Sequence, residues 1–93
     1  MLVGVPKEIK VHESRVALTP EGTAELVRAG HAVVLEKGAG LGSALTDSDY
    51  IAAGATIEED VEKIWASADM ILKVKEPIEV EYSRLRKDQI LFT

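Results

Sequence analysis

The chain contains no cysteine, and this absence already narrows the classes of protein to which it can belong. Without cysteine there is neither a disulfide framework nor a thiolate metal site, and a cytoplasmic location is allowed. Seven glycines and three prolines in 93 residues are too few for a collagenous or low-complexity chain. No stretch approaches the roughly 20 apolar residues of a membrane span, and the charged opening, with Lys7, Glu8 and Lys10, is unlike a secretory signal. We therefore expect a soluble cytoplasmic globule with no membrane partner.

Basic residues are also in short supply. Eleven lysines and arginines stand against sixteen aspartates and glutamates, so the formal net charge is -5. A surface that attracts phosphate backbones needs the opposite sign. We therefore expect no nucleic-acid partner, and the length allows one small domain at most.

The apolar runs that are present alternate with segments of helical spacing. Thr19 and Pro20 start one predicted helix, and Thr46 with Asp49 forms a capping-box-like pair that starts another. Strands are predicted at 2–5, 32–35, 55–57, 70–74 and 90–92, and helices at 20–29, 47–53, 61–68 and 79–85. This order predicts an α/β fold: a three-layer Rossmann-like (flavodoxin-like), mostly parallel sheet with helices on both faces.

The last apolar run bears on whether this fold is complete. The chain stops at Thr93, directly after the predicted strand 90–92. Natural domains rarely end by exposing the pattern of a central strand. From the sequence we expect an incomplete sheet and a fragment of a larger protein.

A glycine-rich stretch from Gly38 to Gly42 follows the second predicted strand and invites comparison with a dinucleotide-binding turn. That fingerprint needs a third glycine where this chain has Ser43, and a helix that opens directly from the turn. Here the next helix begins only at Thr46 or Asp47. A flexible loop that uses glycine for positive φ is the favoured interpretation, so no cofactor-binding residue is assigned.

Metal binding is not predicted either. His12 and His31 are 19 positions apart, without the close ligand spacing that zinc sites show. Acidic residues at 58–62 suit the start of a helix, and Glu79, Glu81 and the basic group at 84–87 are interpreted as a solvated helix face and its end.

Two basic residues have settings that suggest a ligand. Arg15 follows the first predicted strand, and open parallel sheets bind ligands at the carboxyl ends of their strands. Its guanidinium could hold a carboxylate through two hydrogen bonds, although a surface arginine is the commoner finding. Lys73 and Lys75 alternate along the fourth strand, and Lys75 at the strand end could anchor a carbonyl or carboxylate; a solvated pair at a strand edge is the alternative. Arg15 and Lys75 together suggest a small anionic ligand.

Recognisable motifs lie in fixed order along the whole chain, at 3–8, 13–20, 38–40 with 42–43, 52–55, 72–77 and 90–93. Together they resemble the alanine dehydrogenase and transhydrogenase family. Residues 72–77, LKVKEP, with residues 90–93, are more similar to the alanine dehydrogenase branch than to the transhydrogenase branch.

The resemblance implies an enzyme that interconverts L-alanine and pyruvate with NAD and ammonia. It implies that Arg15 holds the substrate carboxylate and that Lys75 also contacts the substrate. The catalytic histidine, a later aspartate and the NAD-binding domain would lie beyond Thr93, and the parent enzyme would be a cytoplasmic homo-hexamer. Residues 1–93 would then be the amino-terminal part of the substrate (catalytic) domain, with the NAD-binding domain absent and no complete catalytic set.

Two alternatives remain open. The chain could be the amino-terminal segment of a proton-translocating NAD(P) transhydrogenase alpha subunit, in which Lys75 would not be a pyruvate ligand. It could also be a non-catalytic binding or assembly module that pairs through its open sheet edge.

Overall fold

The computed structural model describes residues 1–9, 13–75, 77 and 79–93. Strands and helices alternate along this part of the chain, as the sequence predicts. The elements are β1 (Leu2–Val5), α1 (Pro20–Arg28), β2 (Ala32–Glu36), a 3₁₀ turn (Leu41–Ser43), α2 (Asp47–Ala52), β3 (Thr56–Glu58), α3 (Val61–Ser67), β4 (Met70–Leu72), α4 (Glu79–Tyr82) and β5 (Ile90–Phe92). None of the described helices is long and apolar enough to cross a membrane.

The described strands form one five-stranded sheet in the order β3-β2-β1-β4-β5, and each of its pairs is parallel. Val3 in β1 lies opposite Val33 in β2 and Met70 in β4. The predicted three-layer, Rossmann-like α/β class is confirmed. Doubly wound sheets commonly have one of two strand orders, the Rossmann order 3-2-1-4-5 or the flavodoxin order 2-1-3-4-5. This sheet has the Rossmann order, in which β3 and not β2 lies at the edge.

Side chains from the strands alternate between two cores, one on each face of the sheet. Val33 and Leu35 are buried on the face covered by α1 and α2, while Val34 packs against the core under α3. This confirms that β2 is covered on both faces, as its continuous apolar run predicts. The first core contains Val3, Val5, Val33, Leu35, Ala39, Tyr50 and Ala55, and the second contains Ile64, Trp65, Ala68 and Ile71.

The predicted helix starts are confirmed by their caps. The Thr19 side chain accepts a hydrogen bond from the Gly22 N–H, with Pro20 in the first turn. Thr46 and Asp49 form the reciprocal capping box, in which each side chain accepts from the other residue's backbone N–H. Each cap satisfies donors that have no partner inside the helix.

Two elements end two or three residues earlier than the sequence predicts, whereas the other helices end within one residue of the predicted position. Strand β4 ends at Leu72 rather than at residue 74, because the N–H groups of Val74 and Lys75 donate to the carboxylate of Glu8. Helix α4 ends at Tyr82 rather than at residue 85, and turns closed by bonds such as Arg84 N–H to the Glu81 carbonyl follow it.

Candidate functional site

The candidate site lies where the connections after β1 and β4 leave the sheet. These strands are neighbours at the centre, and the chain runs from β1 toward β3 on one side and from β4 toward β5 on the other. Such a divergence opens a crevice at the carboxyl ends of the two strands. Arg15 lies in the connection after β1 and Lys75 in the connection after β4.

One carboxylate contacts both of the basic residues predicted for the site. Glu13 Oε2 accepts from Arg15 Nε at 2.9 Å, and Glu13 Oε1 accepts from Arg15 Nη2 at 2.8 Å. The backbone N–H of Arg15 also donates to Glu13 Oε2, at 2.8 Å. Lys75 Nζ lies 3.5 Å from Glu13 Oε1. The fold therefore brings Arg15 and Lys75 together around Glu13.

The three side chains differ sharply in exposure. Glu13 is 3% exposed, whereas Arg15 is 68% exposed and Lys75 is 32% exposed. Of the five guanidinium N–H donors, Glu13 uses two, and those on Nη1 have no partner among the described residues. The arginine therefore presents a donor edge to solvent while its other edge is fixed.

The hydrogen bonds in this trio keep Glu13 ionised. The side-chain and backbone hydrogen bonds from Arg15 lower the pKa of Glu13 from 4.5 to about 2, against a smaller opposing effect of burial. The nearby charges of Arg15 and Lys75 act in the same direction as the hydrogen bonds. In turn, the hydrogen bonds and charge of Glu13 raise the pKa of Arg15. Both partners therefore carry full charge throughout the neutral range.

A buried ionic triad lies beside the trio. Lys73 Nζ is 3.1 Å from Glu8 Oε1 and 3.2 Å from Glu81 Oε2, and the three side chains are 2%, 2% and 1% exposed. Glu8 also accepts from the backbone N–H of Val74 at 3.1 Å and of Lys75 at 3.3 Å. The Glu8 carboxylate thus ties the connection after β1 to the connection after β4.

Residues that follow β2 also hold the connection that carries Arg15 in place. Ser43 Oγ donates to the Ser14 carbonyl at 3.2 Å, and a Cβ added to Gly42 would lie 2.4 Å from that same oxygen. The buried Tyr50 hydroxyl donates to the Leu18 carbonyl at 2.6 Å. Burial is the main cause that raises the pKa of Tyr50, so the hydroxyl keeps its proton and remains a donor.

A cleft of about 530 Å³ opens beside these connections. Arg15, Lys73 and Thr93 line it, together with apolar side chains that include Leu72 and Phe92. Lys75 is not among its described lining residues and reaches the site through Glu13. An exposed arginine edge above an apolar wall suits a small molecule with one carboxylate and a short apolar body.

The glycine-rich stretch does not fit a dinucleotide phosphate. Gly38 has φ +77, but Gly40 has φ -94, and a Cβ on Gly40 would lie 2.7 Å from the Tyr50 ring. Asp47 accepts from the Gly38 N–H at 2.9 Å, which places a carboxylate where a phosphate would sit. Positive φ therefore explains Gly38, and the other glycines provide room for this chain's own atoms.

The described part of the chain shows no cluster of metal ligands. No group of three or more histidine, cysteine, aspartate or glutamate side chains there is placed to hold an ion. His12 lies outside the described residues.

The three carboxylates of the site are the functional residues that the sequence analysis missed. Glu81 is predicted to be solvated, and this is wrong: it is buried against Lys73. The interpretation of Lys73 as a solvated strand-edge residue is wrong for the same reason. The spacing of Glu13 and Arg15, two residues apart, is the one local signal available. The contacts of Glu8 join residues 65 to 67 positions apart, so no local pattern shows them.

The fold and its charged crevice define a doubly wound α/β module with a cationic site at the central switch of the sheet. Residues 4–93 match the family model described as "Alanine dehydrogenase/PNT, N-terminal domain". The chain belongs to this family.

The relatives agree with the family assignment. An alanine dehydrogenase of Mycolicibacterium smegmatis is 59% identical over the whole chain, and one of Bacillus subtilis is 52% identical. A solved L-alanine dehydrogenase superposes on 98% of the chain with a TM-score of 0.94 and 47% identity. A transhydrogenase from Sinorhizobium meliloti also covers 98%, with a TM-score of 0.91 and 37% identity.

The chain is much shorter than the proteins it matches. It spans 25% of the M. smegmatis enzyme, 24% of the B. subtilis enzyme, 25% of the L-alanine dehydrogenase structure and 26% of the transhydrogenase structure.

Proposed function

We propose that residues 1–93 form the amino-terminal part of the substrate domain of an NAD-dependent L-alanine dehydrogenase. In this proposal, Arg15 and Lys75 bind the carboxylate and the carbonyl of pyruvate, or the corresponding groups of alanine. The observation that carries it is the convergence of both basic side chains on Glu13 at the switch of the sheet. Identities above 50% to alanine dehydrogenases support the same assignment.

The chemistry follows from the donors that face the cleft. The guanidinium edge of Arg15 that Glu13 leaves open is expected to form two parallel hydrogen bonds to the substrate carboxylate. The ammonium of Lys75 is expected to donate to the carbonyl oxygen. Negative charge on the carbonyl oxygen grows as ammonia adds to the carbonyl carbon. The fixed ammonium of Lys75 beside this oxygen would therefore stabilise the transition state more than the ground state.

Replacement of Arg15 tests the proposal in a full-length protein that carries this segment. Arg15→Ala removes charged hydrogen bonds to the substrate and is expected to lower kcat/KM for pyruvate roughly a hundredfold. Arg28→Ala is the matched control, because Arg28 pairs with Glu25 on the exposed surface of α1. The measurement is NADH consumption with pyruvate and ammonia. Unchanged kinetics in Arg15→Ala would show that this arginine does not bind the substrate.

A transhydrogenase subunit is the second candidate, favoured by the fold shared with the S. meliloti protein. The two activities separate in one assay, since only an alanine dehydrogenase reduces NAD in the presence of L-alanine. The lower identity, 37% against 47% for the solved L-alanine dehydrogenase, favours the first candidate.

The remaining features of the parent protein are proposals that follow from the family resemblance. We propose that NAD binds to a domain outside this chain, since the space beside the glycine-rich stretch is filled by this chain's own backbone and side-chain atoms. The parent is further proposed to be a cytoplasmic homo-hexamer.

A further inference from the structure

Glu13 is a carboxylate placed between the two basic residues of the site. This side chain faces both Arg15 and Lys75, yet a substrate carboxylate needs their positive charge. An acid at this position weakens the attraction for anions that the two cations would otherwise supply. Its presence therefore calls for an explanation beyond simple anion binding.

Two groups of described charges lie close to the cleft: the trio of Glu13, Arg15 and Lys75, and the buried triad. Arg15, Lys75 and Glu13 together carry one net positive charge. The buried triad contributes one lysine against two carboxylates, Glu8 and Glu81. The charges of these six side chains therefore sum to zero, with the positive excess in the trio around Arg15 and the negative excess in the buried triad.

We propose that Glu13 determines specificity by holding the mouth of the site at a single net positive charge, so that it accepts a 2-oxo acid with one carboxylate and rejects one with two. The inference rests on the proposed function and adds to it the class of substrate that is excluded. The first carboxylate of a dicarboxylate would be neutralised by Arg15. The second, only a few bonds away, would meet the ionised Glu13 with no cation in excess, and like charges at such short range are strongly unfavourable.

Two further observations support a fixed charge here. Glu13 makes two side-chain hydrogen bonds with Arg15 and one with the Arg15 backbone, so its carboxylate cannot turn away without breaking all three. Its side chain is 3% exposed, so water screens it poorly.

The test compares substrates in full-length proteins. Wild type, Glu13→Gln, Glu13→Asp and Glu25→Gln are assayed for ammonium-dependent NADH consumption with pyruvate and with oxaloacetate. Glutamine keeps the shape of Glu13 without its charge, and aspartate keeps the charge with a shorter side chain. Glu25 is 71% exposed on α1, so Glu25→Gln makes the same change in net charge away from the site.

The expected result is a rise of at least about tenfold in the ratio of kcat/KM for oxaloacetate to that for pyruvate in Glu13→Gln alone. Glu13→Asp should keep the wild-type ratio even where both activities fall. An unchanged ratio in Glu13→Gln overturns the proposal. An equal rise of this ratio in Glu13→Asp also overturns the proposal, because the change would then follow from side-chain length and not from charge.

A binding measurement separates this inference from the proposed function. Calorimetric titration of wild type and Glu13→Gln with propionate and with succinate needs no turnover. Wild type is expected to prefer propionate, and Glu13→Gln should lose that preference. If wild type binds succinate as tightly as propionate, the inference fails while turnover with pyruvate still stands. If charge selection is seen without pyruvate turnover, the proposed function fails instead.

Discussion

Glu13 stands two residues before Arg15, and this short spacing lets one carboxylate bind the backbone and the guanidinium of the same partner. A local arrangement of this kind loses little conformational entropy when it forms, because few residues lie between the groups. Arg15 is consequently held in place even though most of its side chain is in water. A long, exposed arginine would otherwise lose much of its freedom on binding a substrate.

The lowered pKa of Glu13 predicts how the stability contributed by its charge depends on pH. Its folded-state pKa, about 2, lies below the reference value of 4.5. The charged form is therefore favoured by folding, so its contribution is complete above pH 4.5 and is lost as the pH falls toward 2. The difference in unfolding temperature between wild type and Glu13→Gln should be constant in the neutral range and shrink in acid. Thermal unfolding at a series of pH values measures it.

The same experiment with Glu25→Gln provides the control. Glu25 pairs with Arg28 on the exposed surface, where an ion pair contributes little. Its variant should differ little from wild type at any pH. A difference for Glu13→Gln that grows on acidification would contradict the lowered pKa.

At the scale of elements, the glycine-rich connection after β2 acts as a support for the connection that carries Arg15. A methyl group on Gly42 would lie 2.4 Å from the Ser14 carbonyl oxygen, a contact with backbone that no side-chain rotation relieves. The room at Gly42 is therefore part of what fixes Arg15.

Gly42→Ala is expected to push Ser14 away and to raise the KM for pyruvate about tenfold in a full-length protein, with a loss of about 1–3 kcal/mol in stability from overpacking. Gly30→Ala is the matched control, because Gly30 has φ +95 and nothing within 4 Å of an added Cβ. It should cost a similar amount of stability, through backbone strain, and leave KM unchanged. Steady-state kinetics measures the KM of each variant, and thermal unfolding measures its stability. Equal KM values in the two variants would argue against a supporting role for Gly42.

The sequence predicts local features of the elements well and long-range ones poorly. The caps at Thr19 and Thr46 depend on residues within three positions, and both are confirmed. The end of β4 depends on Glu8, more than 60 positions away, and was predicted two residues too late. Helix periodicity also did not reveal that Thr23 is buried; its hydroxyl donates to the Thr19 carbonyl.

For the candidate site, too, the sequence predicts the local features and misses those that depend on tertiary structure. The positions of Arg15 and Lys75 after strands suffice to predict that both lie at one edge of a parallel sheet. Glu13 and Glu8 could not be assigned, since both are acidic residues in a charged stretch whose partners are set by tertiary structure. Their roles follow only once β1 and β4 are known to be neighbours.

At the scale of the whole molecule, the triad of Glu8, Lys73 and Glu81 joins three parts of the chain inside the protein. Lys73→Met keeps an unbranched side chain that is one atom shorter and removes the cation between two buried carboxylates. We expect a loss of about 3–5 kcal/mol in the free energy of unfolding. Urea unfolding of the full-length protein is the measurement.

Lys63→Met serves as the comparison, because Lys63 lies exposed on α3. A surface substitution of this kind changes stability by no more than about 0.5 kcal/mol. If the two lysine variants unfold at the same urea concentration, the triad does not hold the fold together.

The same triad has a consequence for the order in which the chain is made. Glu8 is synthesised 65 residues before Lys73. At a synthesis rate of about 5–20 residues per second, this separation corresponds to an interval of roughly 3 to 13 seconds. During that interval an unpaired carboxylate strongly resists burial, because leaving water without a partner is costly. The Glu8 carboxylate is therefore expected to stay hydrated until Lys73 has been synthesised. The contact that joins the connections after β1 and β4 can thus form only after both connections have been made.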